Sequence, residues 1–128
     1  MSEKLFGDHF IETYKSLIAL SIEGFKFCAL ANGGAAVAIL AYLGNVAGKG
    51  SAAPDMRWPM GAFLAGLAAC GFAMFFAYLT QLQLLNESAQ RATASVRHTW
   101  YLRASMLLVL ASLVAFAVGS WQAVVAFR

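Results

Sequence analysis

Three long stretches of the chain contain no ionisable side chain, and this pattern limits the fold more than anything else in the sequence. Residues 27–46 read FCALANGGAAVAILAYLGNV, residues 58–79 are again uncharged, and residues 104–127 read ASMLLVLASLVAFAVGSWQAVVAF. At about 1.5 Å per helical residue, about twenty residues match a hydrocarbon layer of roughly 30 Å, and in that layer a helix satisfies all its own backbone polar groups. The expected fold class is all-α: an integral membrane protein with three transmembrane helices at about 27–46, 58–85 and 104–127, preceded by an amphipathic helix over 1–26 and with cytoplasmic helical extensions. Composition agrees, since 61% of the 128 residues are hydrophobic and 12% charged, against roughly half apolar and a quarter charged in soluble domains. Residues 1–26 carry acids and bases throughout, unlike a signal peptide, so the first apolar run is expected to stay in the mature chain.

Basic residues set the expected orientation, because Lys and Arg near spans are retained on the cytoplasmic side. Lys4, Lys15, Lys26, Arg91, Arg97 and Arg103 fall on one side, and Lys49, Arg57 and Arg128 on the other. The N-terminus is therefore expected inside and the C-terminus outside. Trp58 and Trp121 are candidate anchors at the outer interface, with Trp100 and Tyr101 at the inner one.

Ahead of the first span, residues separate at helical period. Asp8, Glu12, Lys15, Ser16, Ala19, Glu23 and Lys26 share one face; Phe6, Phe10, Tyr14, Leu17, Ile18, Ser21 and Phe25 share the other. With no proline before Cys28, this helix can run straight into the first span as a rod of about forty residues, or about 60 Å. Its mixed-charge polar face differs from the Lys/Arg-rich face of helices that lie on anionic lipid, so Phe6, Phe10, Tyr14, Leu17 and Phe25 are read as a face for a cytoplasmic protein partner. The second span is expected to continue inward by about three turns, because Asn86 to Arg97 contains neither Gly nor Pro and Glu87 and Arg91 sit four apart.

In lipid, helices associate through close packing and polar contacts, so small residues three or four apart mark interfaces. Candidate packing or pore-lining positions are Asn32, Gly33 and Gly34 in the first span, Gly66, Ala69 and Ala73 in the second, and Ala111, Ala115 and Gly119 in the third. Asn32 stands out: a carboxamide in hydrocarbon needs hydrogen-bond partners, and it is read as an interhelical clamp or, in an oligomer, as part of a polar path. The string NGGAAVAILAYLGN resembles segments of small, uncharacterised bacterial three-span inner-membrane proteins. That resemblance implies a multi-pass location in a bacterial inner membrane and no particular activity.

No Asp, Glu, Lys, Arg or His falls inside the spans, and such residues usually mark proton relays, coupled transport and voltage sensing. His9, His98, Cys28 and Cys70 form no triad, zinc spacing or phosphate loop. No catalytic residue, metal or cofactor is expected, and the dispersed +3 charge is no nucleic-acid footprint. The primary expectation is a homo-oligomeric, pore-like or membrane-permeabilising protein of the stress, lysis or antiviral-defence type. Its spans resemble those of three-span holins in length and economy, although holins of that kind place the N-terminus outside. The alternative is a structural or accessory subunit that docks a cytoplasmic partner; a small-molecule transporter would need dimerisation to supply inverted repeats. The topology is tested by reporters fused after Arg128: a reporter active only in the periplasm should work there, and one active only in the cytoplasm should be silent. The reverse result would overturn the orientation.

Overall fold

A computed structural model describes residues 2–50, 52–88 and 97–128. They form three α-helices: α1 (Ser2–Ala47), α2 (Arg57–Ser88) and α3 (Arg97–Ala126). Each is long and apolar enough to cross a membrane, and the chain is all-helical, compatible with a multi-pass membrane protein. The amphipathic segment and the first span are one uninterrupted helix of 46 residues, about 69 Å long. The helix over 58–85 begins and ends close to its expected limits. The third begins seven residues earlier than the apolar run, because nothing in the charged segment from Arg97 to Arg103 breaks a helix. The expected continuation of α2 past Ser88 and the Glu87–Arg91 pair fall outside the described residues.

Local chemistry explains where α1 stops and α2 starts. After Ala47 the chain turns through Gly48, Lys49 and Gly50, with the Lys49 amide donating to the Val46 carbonyl at 3.0 Å and Gly50 at φ 67°, a left-handed conformation that glycine takes without steric cost. Asp55 Oδ1 then accepts the Arg57 amide at 3.1 Å, satisfying one of the free donors that every helix N-terminus presents. Pro59 lies in the first turn of α2, where a missing N–H costs nothing, and it is fully buried.

Polarity is arranged inside out. Leu30, Val37, Leu40, Phe72, Phe75, Met106, Leu107 and Leu110 are all more than half exposed, while Asn32 and Ser112 are 0% exposed. In water such a surface would drive aggregation; against lipid it is the favourable one, and the polar groups must pair internally. The buried side of α2 runs through Pro59, Phe63, Gly66, Cys70, Ala73 and Thr80, and that of α3 through Ser105, Ser112 and Gly119. Those α2 positions follow alternating four- and three-residue steps, with the 77 position between the last two, and those of α3 are seven apart. This is the spacing of left-handed helix pairs crossing at about 20°.

Small residues on these edges let the helices approach closely. The Phe63 ring covers Gly119 so tightly that a Cβ there would lie 2.9 Å from the ring, and Phe63 also tilts against Phe116 with ring centroids 5.8 Å apart. Ala36, Ile39, Met56 and Phe63 make the buried apolar cluster at this end, where Tyr42 meets Phe127 edge-on.

Candidate functional site

Of the expected packing residues, Asn32 and Gly66 meet in one layer, with Asn32 at its centre. The Asn32 Nδ2 donates to the Cys28 carbonyl at 3.0 Å, to Ser112 Oγ at 3.1 Å, and at 3.4 Å to the Ser112 carbonyl. The first bond is the same-helix back-bond that polar side chains make in helices. The other two reach across to α3, and with two N–H groups serving three acceptors one donor is shared. The two carbonyl partners fix which end of the carboxamide is the NH2 group.

The other end of the carboxamide lies on α2. A Cβ added to Gly66 would overlap Asn32 Oδ1 and lie 2.6 Å from Cγ and 2.9 Å from Nδ2, so glycine is the residue that leaves room for this group. Oδ1 itself is buried with no hydrogen-bond partner; Gln122 Oε1 is the other such oxygen among the described residues. An unpartnered buried acceptor costs about 1–3 kcal/mol, set against the bonds that Nδ2 makes. Asn32 is thus enclosed by its own three helices.

Two further polar bonds tie the same three helices. Ser105 Oγ donates to the Ala73 carbonyl at 2.8 Å, joining α3 to α2. Cys70 Sγ donates to the Phe25 carbonyl at 3.4 Å, joining α2 to α1. Each pair of helices therefore has a polar tie. Thr80 and Ser120 instead bond back to the Phe76 and Phe116 carbonyls of their own helices. Sequence reasoning missed Ser105, Ser112 and the bonding role of Cys70. The available signal was the seven-residue step from Ser105 to Ser112 to Gly119, which places two hydroxyls and a glycine on one side of α3.

The remaining candidates divide by the side they face. Ala73 is fully buried, Ala69 and Ala115 are half-buried, and a Cβ added at Gly33 would make ordinary contact with Leu67 at 3.9 Å. Gly34 and Ala111 face outward, with open space beside Gly34. The close approach to Asn32 occurs at Gly66 and not at Gly33 or Gly34, because consecutive helix residues point about 100° apart and neither glycine lies beneath the Asn32 side chain. Trp58 and Trp121 are exposed near one end of the bundle and Trp100 near the other; Tyr101 is half-buried and stacks on Phe76.

Of the N-terminal face, Phe25 is half-buried over Cys70, and Tyr14 donates from its hydroxyl to Gln81 Oε1 at 2.7 Å. Phe6, Phe10 and Leu17 are exposed, at 76%, 66% and 58%. On the opposite side of α1, Lys26 pairs with Glu23 at 3.0 Å in the open, a contact of at most about 1 kcal/mol.

Among the described residues no group of His, Cys, Asp or Glu is arranged to hold a metal, and the central layer offers hydroxyl, thiol and carboxamide groups but no charged acid or base. Its chemistry is positional: it fixes the height and rotation of α1 on the α2–α3 pair. No family model, curated protein or solved structure matches the chain.

Replacing Gly66 by Ala should displace the Asn32 carboxamide and lower stability by about 1–3 kcal/mol, the usual cost of overpacking. Replacing outward-facing Gly71, which has open space around it, by Ala should be neutral or stabilising, since Ala is the better helix former by up to about 1 kcal/mol. Unfolding in bicelles or mixed micelles measures both; equal effects would remove the clamp.

Proposed function

We propose that the protein is a non-catalytic structural subunit of the membrane, a three-span anchor that presents a helical stalk on one side and assembles through it. The observation that carries this reading is the N-terminal half of α1. It continues the span without a break from Ser2, is held against α2 as far as Tyr14 by the bond to Gln81, and leaves Phe6, Phe10 and Leu17 exposed. A helix whose direction is fixed by the span beneath it projects from the bilayer rather than lying along it. A projecting helix with exposed aromatic side chains is stabilised by covering them with protein.

The pore-like reading draws less support from the geometry. Five polar side chains within the spans are used internally: Asn32, Ser105 and Ser112 are buried, and Thr80 and Ser120 bond to their own helices. Copies placed side by side would offer apolar surface to one another and to any passage between them. The orientation expected from the basic residues puts the stalk in the cytoplasm, and the first-span resemblance points to a bacterial inner membrane; both belong to this proposal.

Purified protein in liposomes tests the reading. Ion flux should equal that of empty vesicles, while the protein runs in nanodiscs as a discrete assembly or co-purifies with a stable partner. Flux that rises with protein density and is absent with the Asn32→Leu variant would overturn it in favour of a conducting path.

A further inference from the structure

The packing registers of the three helices place one charged pair deeper in the membrane than its own helix suggests. On α2 the exposed Trp58 and Tyr78 are twenty residues apart, and on α3 the exposed Trp100 and Trp121 are twenty-one apart. Both separations are about 30 Å, the thickness of a hydrocarbon layer, and Trp and Tyr gather at the two edges of that layer. Asn32 of α1 lies beside Gly66 of α2 and Ser112 of α3. Counted from that contact along antiparallel α2 and parallel α3, Tyr78 and Trp100 both come level with Leu20 of α1. The Tyr14–Gln81 bond keeps α1 alongside α2 beyond that height. Glu23 and Lys26 therefore sit inside the edge by about 4.5 Å and 9 Å, level with Phe75 and Phe72, which α2 turns to lipid.

This pair faces away from the bundle. Lys26 Nζ donates to Glu23 Oε1 at 3.0 Å with the two side chains 62% and 69% exposed. They close one end of a shallow groove along the outer side of α1, lined also by Ser16, Ala19, Leu20 and Ile22. At the base of the headgroup layer water is scarce, and opposite charges attract more strongly than in water.

We propose that this groove binds the headgroup of an ethanolamine phospholipid, with the phosphate on Lys26 and the ammonium on Glu23. Three features select that occupant. In a bilayer the phosphate of such a lipid lies nearer the hydrocarbon than its ammonium, and here the cation lies about 4.5 Å deeper than the anion, a step that the ethanolamine linker spans. The order holds in either leaflet, so the match is independent of the side on which the N-terminus lies. Next, Lys26 uses one of three N–H donors on Glu23, and the Glu23 carboxylate has a second oxygen, so both can take the lipid without parting. An anionic headgroup without an amine would set its phosphate against Glu23, and a choline headgroup has no N–H to donate. Finally, Leu30 and Val37 continue the same side of α1 below the pair, exposed, and give the acyl chains an apolar bed.

Native mass spectrometry of the full-length protein in detergent tests the site. The micelles receive equal amounts of phosphatidylethanolamine, phosphatidylcholine and phosphatidylglycerol with the same acyl chains. The parent chain should retain the ethanolamine lipid about tenfold more than either of the others, the worth of one hydrogen bond to a charged group. Exchanging the charges, by Glu23→Lys with Lys26→Glu, keeps an ion pair on the same turn but reverses its order, and should abolish the preference. Glu23→Gln alone should reduce retention of the ethanolamine lipid to that of the choline lipid, and it keeps the test open if the exchanged chain fails to fold. Equal retention of the three lipids by the parent, or a preference that survives in the variants, overturns the proposal. So does a parent chain that selects no lipid and forms an assembly dispersed by the charge exchange, because the pair would then face protein.

Discussion

A single carboxamide sets the terms for the arrangement of helices. Asn32 lies in a stretch of twenty residues without a charge, and in hydrocarbon neither water nor lipid tails can take its hydrogen bonds. One of its N–H groups bonds back to Cys28 in its own helix, the other is satisfied where Ser112 of α3 meets it, and its bulk fits where α2 has a glycine. These demands coincide at one rotation and one height of α1. A slide of one residue along α2 would push the carboxamide against a side chain and break its bonds to Ser112, leaving only the back-bond to Cys28 within α1. Apolar packing alone discriminates poorly among neighbouring registers in lipid, where the surroundings are as apolar as the interface. The polar contact supplies the discrimination and Oδ1 bears part of its cost.

The α2–α3 pair is the platform for that contact. Its seven-residue spacing and the small residues Ala73 and Gly119 bring the two helices close, and the Ser105 hydroxyl bonds directly to the Ala73 backbone. Phe63 fills the space above Gly119. α1 then leans on the platform along one stripe, tied at Asn32 and at Phe25 and again, beyond the apolar run, at Tyr14. Because α1 has no proline and no break at the end of its apolar run, the rotation fixed by Asn32 also fixes the direction in which Phe6 and Phe10 face some 35 Å away. Register in the membrane and presentation of the stalk are one mechanical problem.

The sequence made the spans legible because charge avoidance in lipid is strict and leaves gaps that can be read directly. The helix over 1–26 was also legible from its periodicity, although Leu5, Ile11, Leu20 and Ile22, all more than 45% exposed, widen its apolar surface beyond the face first drawn. Asn32 was legible as a residue in need of partners. Its partners were not, because a serine in a span is common, costs little when it bonds to its own helix, and becomes informative only when another helix is known to face it. Gly33 and Gly34 drew attention by adjacency to Asn32, yet a helix turns neighbours away from one another, and the glycine that matters lies on a different helix. Ala111 was one step of a regular small-residue series and faces outward, because a four-residue step drifts around a helix of 3.6 residues per turn.

Whether the Asn32–Ser112 contact fixes α1 on its platform is measured most directly by a double-mutant cycle. Asn32→Leu, Ser112→Ala and the double variant would be unfolded reversibly in bicelles alongside the parent chain. The account predicts a coupling free energy of about 0.6–1.7 kcal/mol, the range found for hydrogen bonds between membrane helices, with the double variant losing less than the sum of the single ones. Strictly additive losses would contradict it, and would mean that α1 finds its place without the carboxamide.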